Sequence, residues 1–186
     1  MSKDGIKKMW QSQLSEVQEK PIQVHLGQDI HREQLHPGSH LEDITEVYLR
    51  EIEQRLRWDR IPDLSSNTGT KKVVSLNEWF AEVLGNATIQ AFFGNALLDL
   101  EPRLWEHFYT FDSESWKLTF QLPPFFAKRM YEAKDQSRAA YISYFQLPTG
   151  KRPPTCHYLR GVEEKRRQAG MTDEDIGIAA QMFFGG

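Results

Sequence analysis

The sequence predicts a mainly α protein, and three observations carry that expectation. Apolar residues recur at helical spacings in one segment after another. No segment alternates apolar and polar residues for long enough to build a strand ladder. Prolines, glycines and capping residues punctuate the apolar stripes where helices would begin and end. At 186 residues the chain can form one sizeable domain with its own core. An aromatic share of 12 %, with 39 % hydrophobic residues, argues against disorder.

Residues 1–20 are charged, with Met9, Trp10, Leu14 and Val17 spaced for a short amphipathic helix that Pro21 ends. Ile22, Val24 and Leu26 alternate too briefly to define a strand. A short helical turn over His31–His36 then stops at Pro37-Gly38, and Ser39-x-x-Glu42 has the pattern of a capping box. The helix it opens carries Leu41, Ile44, Tyr48, Ile52 and Leu56 on one face, and Glu42, Glu46, Arg50, Glu53 and Arg57 on the other, up to Pro62. Residues 63–74 are rich in turn formers and charge, a loop too short to separate two domains.

Ser75-x-x-Glu78 is a second capping-box pattern. It precedes the clearest stripe of the chain, Leu76, Trp79, Phe80, Val83, Leu84, Ala87 and Ala91, with Gly94 placed as a left-handed cap. Pro102 suits the first turn of a helix bearing Leu104, Phe108 and Phe111, and Pro123-Pro124 interrupts the apolar run that follows. The next helix runs to Phe145 with Phe126, Met130, Ala133, Ser137, Tyr141 and Tyr144 on one side, before Pro148 stops it. After a basic, proline-rich loop comes a charged helix from about Thr155 to Gln168. Thr172-x-x-Asp175 then caps a last helix, with Met171 and Ile176 as a hydrophobic staple. That helix becomes apolar on most of its circumference, as a helix with neighbours on every side would.

A net charge of −3 offers no clustered basic face for nucleic acid. The single cysteine, Cys156, excludes an internal disulfide and a cysteine-based zinc site. Glu33-x-x-His36 lacks the second copy that a carboxylate-bridged metal pair needs, and His36 and His40 straddle Pro-Gly, so no metal site is expected. Glycine-rich phosphate loops and the Gly-x-Ser-x-Gly nucleophile elbow do not occur. Trp79, Phe80, Phe92, Phe93, Phe108, Phe111 and Trp116 have the spacing of ordinary buried stripes. The charged amino-terminal segment has no apolar stretch of the signal-peptide kind, and no run is long enough for a membrane span.

Several segments in order carry a resemblance. They are Arg32 ahead of Pro37, Ile89-Gln-Ala-Phe-Phe-Gly94, Phe108-Tyr-Thr-Phe-Asp-Ser-Glu-Ser-Trp-Lys-Leu118 through Pro123, and Asp175-Ile176 through Phe183-Phe184-Gly185-Gly186. In this succession the chain resembles the front part of a cytochrome P-450, a haem-thiolate monooxygenase. It is most similar to fungal members akin to prostacyclin synthase and sterol 7α-hydroxylase. The resemblance covers residues 25–186, with 1–24 poorly matched, and corresponds to the family's helices C to the start of I.

The resemblance implies that Arg32 binds a haem propionate, a pairing that suits a planar guanidinium. Gln28 occupies the family's tryptophan position, a departure from the motif. Phe183, Phe184, Gly185 and Gly186 are implied at the distal wall, and the region from Phe120 to Phe126 in a substrate roof. For the complete enzyme it implies haem as cofactor, insertion of one oxygen atom into a lipid-like, steroid-like or secondary-metabolite substrate, a reductase as redox partner, and an endoplasmic-reticulum location if anchored.

The family's cysteine loop and its Glu-x-x-Arg pair are missing from this chain. Cys156 sits among prolines instead, and Glu163-x-x-Arg166 and Glu164-x-x-Arg167 read as surface ion pairs of a charged helix. The chain alone is therefore expected to be an inactive fragment. A non-catalytic helical interaction module, using the apolar carboxy-terminal helix as its partner surface, is the alternative.

Overall fold

The structure is a computed structural model that describes residues 28–61, 72–153 and 155–184. The amino-terminal helix expected over residues 1–20, the Ile22–Leu26 segment, Pro62 and most of the following loop lie outside the described residues.

Nine α-helices and no strand occur among the described residues. They are α1 Gln28–Leu35, α2 Ser39–Arg55, α3 Leu76–Phe93, α4 Asn95–Leu100, α5 Leu104–Glu114, α6 Trp116–Thr119, α7 Lys128–Gln146, α8 His157–Gln168 and α9 Asp173–Phe184. Helix α7 is the centre, with α9, α5 and α4 packed along it, while α2 lies on α3 and α1 on α8. The expected α7 face is realised from Met130 onward: Met130, Ala133, Ser137, Tyr141 and Tyr144 are all buried, whereas Phe126 lies in the 3-10 turn Pro124–Phe126 before the helix and is exposed. Around it sit Phe93, Leu97, Leu104, Phe145 and Ile176. The Tyr144 hydroxyl donates to the Phe93 carbonyl at 3.3 Å, fixing α7 against the end of α3.

The helix ends follow local chemistry, with differences. Thr172 and Asp175 form the reciprocal cap: the Thr172 N–H donates to the Asp175 carboxylate at 2.9 Å, and the Asp175 N–H donates to the Thr172 hydroxyl at 3.2 Å. Gly94 adopts φ 67° and closes α3, its N–H donating to Gln90. The two serine boxes do not form. Gly38 is the cap of α2, so Ser39 is already helical; the Gly38 carbonyl accepts from Leu41 and Glu42. Ser75 caps α3 through its backbone alone. Helix α2 also ends before the proline, because Arg57 turns extended and leads into a 3-10 turn at Trp58–Arg60. Lys72 Nζ then donates to the carbonyls of Trp58 and Ile61, each at 2.7 Å, tying the loop ends together.

The core uses only part of the apolar stripe expected on α3, namely Val83, Ala87 and Ala91. Leu76, Phe80 and Leu84 are exposed, while Val83, Gly85, Asn86, Ala87, Ile89, Ala91 and Phe93 are buried. Two packing partners explain this: α2 covers one side of α3, and the cluster around α5 and α7 takes another. The first two turns of the last helix are packed against the core. Ile176, Ala180 and Gln181 are buried, and Gly177 rests on the α7 backbone, where a Cβ would lie 2.7 Å from the Ile142 Cα. No described helix is long and apolar enough to cross a membrane.

The charged helix α8 is also more than a surface element. Glu163 is buried and accepts both guanidinium nitrogens of Arg152, at 2.8 and 2.7 Å, and further bonds from Arg167. The anticipated Glu163–Arg166 and Glu164–Arg167 surface pairs are thereby replaced. The partner of Glu163 arrives from the proline-rich loop, and Glu164 accepts from Gln168.

Candidate functional site: an apolar cavity between four helices

The small residues Ala81, Gly85 and Thr88 recur along one side of α3. Opposite them, α5 projects Trp105, Phe108 and Phe111. Gly85 makes the notch, since a Cβ there would overlap the Trp105 ring. The Trp105 ring in turn stacks on Phe108, with centroids 5.2 Å apart. Helix α7 supplies Ser137 and Tyr141 as the floor, and α9 closes one end with Gln181. The enclosed volume is about 410 Å3, within the range of small-molecule sites, and the walls are apolar with a few polar points.

The polar points are held by the helices themselves. Thr88 donates its hydroxyl to the Leu84 carbonyl at 2.8 Å. Gln181 donates to the Lys134 carbonyl at 2.7 Å and accepts from Arg138 Nε at 3.4 Å. Burial pushes the Tyr141 phenol far above its usual range, so it stays protonated. Among the described residues, no carboxylate, lysine or arginine lines the cavity. Its chemistry is therefore that of solvation and shape: it can hold an apolar molecule away from water.

A larger groove, about 480 Å3, runs along the outer side of Trp105. Glu78, Glu82, Glu106 and Glu132 line it with Arg103 and Arg129. The charges offset one another, as in the 2.8 Å Arg103–Glu106 pair, and both of those side chains are mostly exposed. This is a solvated mixed-charge face with no convergent chemistry.

Of the residues implied by the resemblance, Arg32, Phe120, Phe125 and Phe126 fall elsewhere. Arg32 is exposed on α1, one turn after Gln28, and α1 packs against α8 and α2. Phe183 and Phe184 form the last turn of α9, while Gly185 and Gly186 lie outside the described residues. Phe120, Phe125 and Phe126 are exposed and do not line the cavity. Cys156 is half-buried at the start of α8, where its Sγ accepts from the Leu159 N–H at 3.4 Å. Burial raises its pKa, the opposite of what a poised thiolate needs. The exposed Arg32, the Cys156 thiol and the cavity thus lie on different elements of the fold.

Of the aromatic residues assigned to buried stripes, Phe93 is core, Phe108 and Phe111 line the cavity, and Phe80 and Trp116 are exposed. The cavity itself has no motif, because its lining is drawn from four helices far apart in the chain. Its one trace in the sequence is a glycine inside a strong helical pattern, which signals close approach. No family model, curated protein or solved structure matches the chain.

Proposed function

We propose that this chain binds an apolar small molecule between α3, α5, α7 and α9, as the substrate-holding part of a haem-dependent monooxygenase of the kind its ordered segments resemble. The observation that carries the reading is the cavity: about 410 Å3, faced by Trp105, Phe108, Phe111 and Ile89, with no charged side chain of the described residues lining it. Burying roughly 200 Å2 of apolar ligand surface there contributes on the order of 5 kcal/mol before the costs of association. In this reading Arg32, exposed and without an ion-pair partner among the described residues, is the group available to a carboxylate such as a haem propionate. With no thiolate poised for iron among the described residues, the chain alone is not expected to oxidise its ligand.

Trp105 provides the test, since its indole forms part of the wall. Titration with a water-soluble apolar ligand should change tryptophan emission saturably. Thr88→Phe, which fills the space, should abolish the change while circular dichroism remains helical. Unaltered saturable binding in that variant would place the ligand elsewhere. A parallel haem titration followed by absorbance, comparing Arg32→Ala with the parent, tests the cofactor half: weaker binding in the variant supports it, and no binding by the folded parent removes it.

A second reading, a helical interaction module, is favoured by the exposed row Leu76, Phe80 and Leu84 on α3. Ile176 and Ala180 of α9 are buried, and this row on α3 would serve as a partner surface. Phe80→Glu should disrupt any complex without touching ligand binding.

A further inference from the structure

The polar groups of the cavity wall are not equally available. Thr88 donates its hydroxyl to the Leu84 carbonyl, and Gln181 uses both ends of its amide on α7. The Ser137 Oγ is enclosed by protein and offers the cavity no surface. Tyr141 is different. A buried tyrosine usually finds a partner for its O–H. Tyr144, three residues along α7, does so, donating to the Phe93 carbonyl. Tyr141 is only 4 % exposed, yet its hydroxyl has no hydrogen-bond partner among the described residues, and burial alone acts on its phenol. Its oxygen is not sealed in as the Ser137 Oγ is. The space it meets is the apolar cavity, which the Tyr141 side chain lines beside Ile89, Phe93 and Phe108. The ring packs against Phe93, with centroids 5.4 Å apart, and this holds the hydroxyl in place. A buried hydroxyl left unpaired bears the full cost of leaving water, and native proteins seldom keep one without a use.

We infer that Tyr141 is the hydrogen-bond donor of the cavity, a specificity-determining residue whose O–H meets a carbonyl or ether oxygen of an otherwise apolar ligand. The inference rests on the reading that the cavity holds an apolar ligand. A phenol carries one O–H donor, and burial keeps this one protonated. A pure hydrocarbon would leave that donor unpaired, whereas a ketone satisfies it. Among the described residues no charged side chain lines the cavity, so a carboxylate or phosphate there would lose its hydration without gaining a counter-charge. The favoured class is therefore a neutral, largely hydrocarbon molecule with one acceptor oxygen.

The test compares two ligands of one ring size, cyclooctane and cyclooctanone, on the full chain and on Tyr141→Phe, with binding measured by headspace gas chromatography. The substitution removes only the oxygen and keeps the ring against Phe93, so the core is retained. Each ligand is compared with itself between the two proteins, which cancels differences in its affinity for water. The expected result is about a fivefold loss of affinity for the ketone and no loss for the hydrocarbon. Infrared spectra of bound cyclooctanone give a second readout that needs no variant. Its carbonyl stretch should be lowered in the parent by the hydrogen bond, and in Tyr141→Phe it should rise to the value found in a hydrocarbon solvent. An equal change in affinity for both ligands, no change, or a stretch already at the hydrocarbon-solvent value in the parent overturns the inference and leaves the cavity reading standing. Failure of both ligands to bind the folded parent overturns the two together.

Discussion

The side chain of Gln34 caps a helix that begins 124 residues later: its Oε1 accepts the backbone N–H of Tyr158 at 2.9 Å. Tyr158 lies in the first turn of α8, where backbone donors have no partner within the helix. The other end of the same amide donates to the His40 carbonyl, so one buried side chain joins α1, α2 and α8. Around it, His157 pairs with Glu33 at 3.3 Å and stacks on His40 with centroids 3.9 Å apart. Gln34→Ala strips the Tyr158 N–H of its acceptor and should cost about 1–3 kcal/mol. Thermal unfolding checks the magnitude, and hydrogen exchange at Tyr158, faster in the variant, checks the location.

Glu163 should govern acid sensitivity. Burial raises its pKa, but the hydrogen bonds from Arg152 and Arg167 outweigh burial and hold the carboxyl below the usual glutamate value. A group with a lowered native pKa stabilises the fold fully above its unfolded value, 4.5, and that stabilisation is lost as pH falls from there through the native value. Glu163→Gln leaves Arg152 buried beside a neutral partner and should cost about 3 kcal/mol at neutral pH. Melting curves from pH 7 to pH 3 should show the gap between parent and variant narrowing on the acid side. A gap constant with pH would mean the charge of Glu163 contributes nothing.

Gly177 sets the distance between α9 and α7. With 2.7 Å between its virtual Cβ and the Ile142 Cα, the obstacle is backbone and cannot rotate away. Alanine would favour an isolated helix by about 1 kcal/mol. Here Gly177→Ala should instead destabilise the protein by about 1–3 kcal/mol net, by forcing the helices apart. Denaturant unfolding decides between the two signs.

Gln121 and Gly170 occupy the same place in two helix ends. After α6 the N–H groups of Gln121 and Leu122 donate to Leu118 and Lys117. After α8 those of Gly170 and Met171 donate to Arg167 and Arg166. Both are Schellman closures that need a left-handed residue. Gly170 meets the need at φ 77°, whereas Gln121 adopts φ 53° with a side chain. Gln121→Gly should therefore stabilise the protein by about 0.5–1 kcal/mol, read as a higher melting temperature.

How much of this was legible depends on whether one helix or several carried the signal. The α7 face, the Thr172–Asp175 box and the Gly94 cap are local, and the sequence alone locates them. The orientation of α3 is not local. It is apolar on more than one side, so its period identifies a helix without saying that Leu76, Phe80 and Leu84 face outward. Glu163 looks like an ordinary member of a charged helix until Arg152 arrives from a loop. The cavity combines residues from four helices, and no single stretch of sequence displays that.

The 124 residues between Gln34 and Tyr158 also set a schedule for synthesis. Ribosomes add about 5–20 residues per second, so α1 leaves the ribosome on the order of 6–25 s before its partner helix has been made. Through that interval Ile30 lacks Tyr158 and Val162, the α8 residues it clusters with, and Gln34 lacks the Tyr158 N–H. A nascent chain of this protein therefore offers its amino-terminal helix to chaperones for as long as translation takes to reach α8, and slower codons between them would lengthen that exposure.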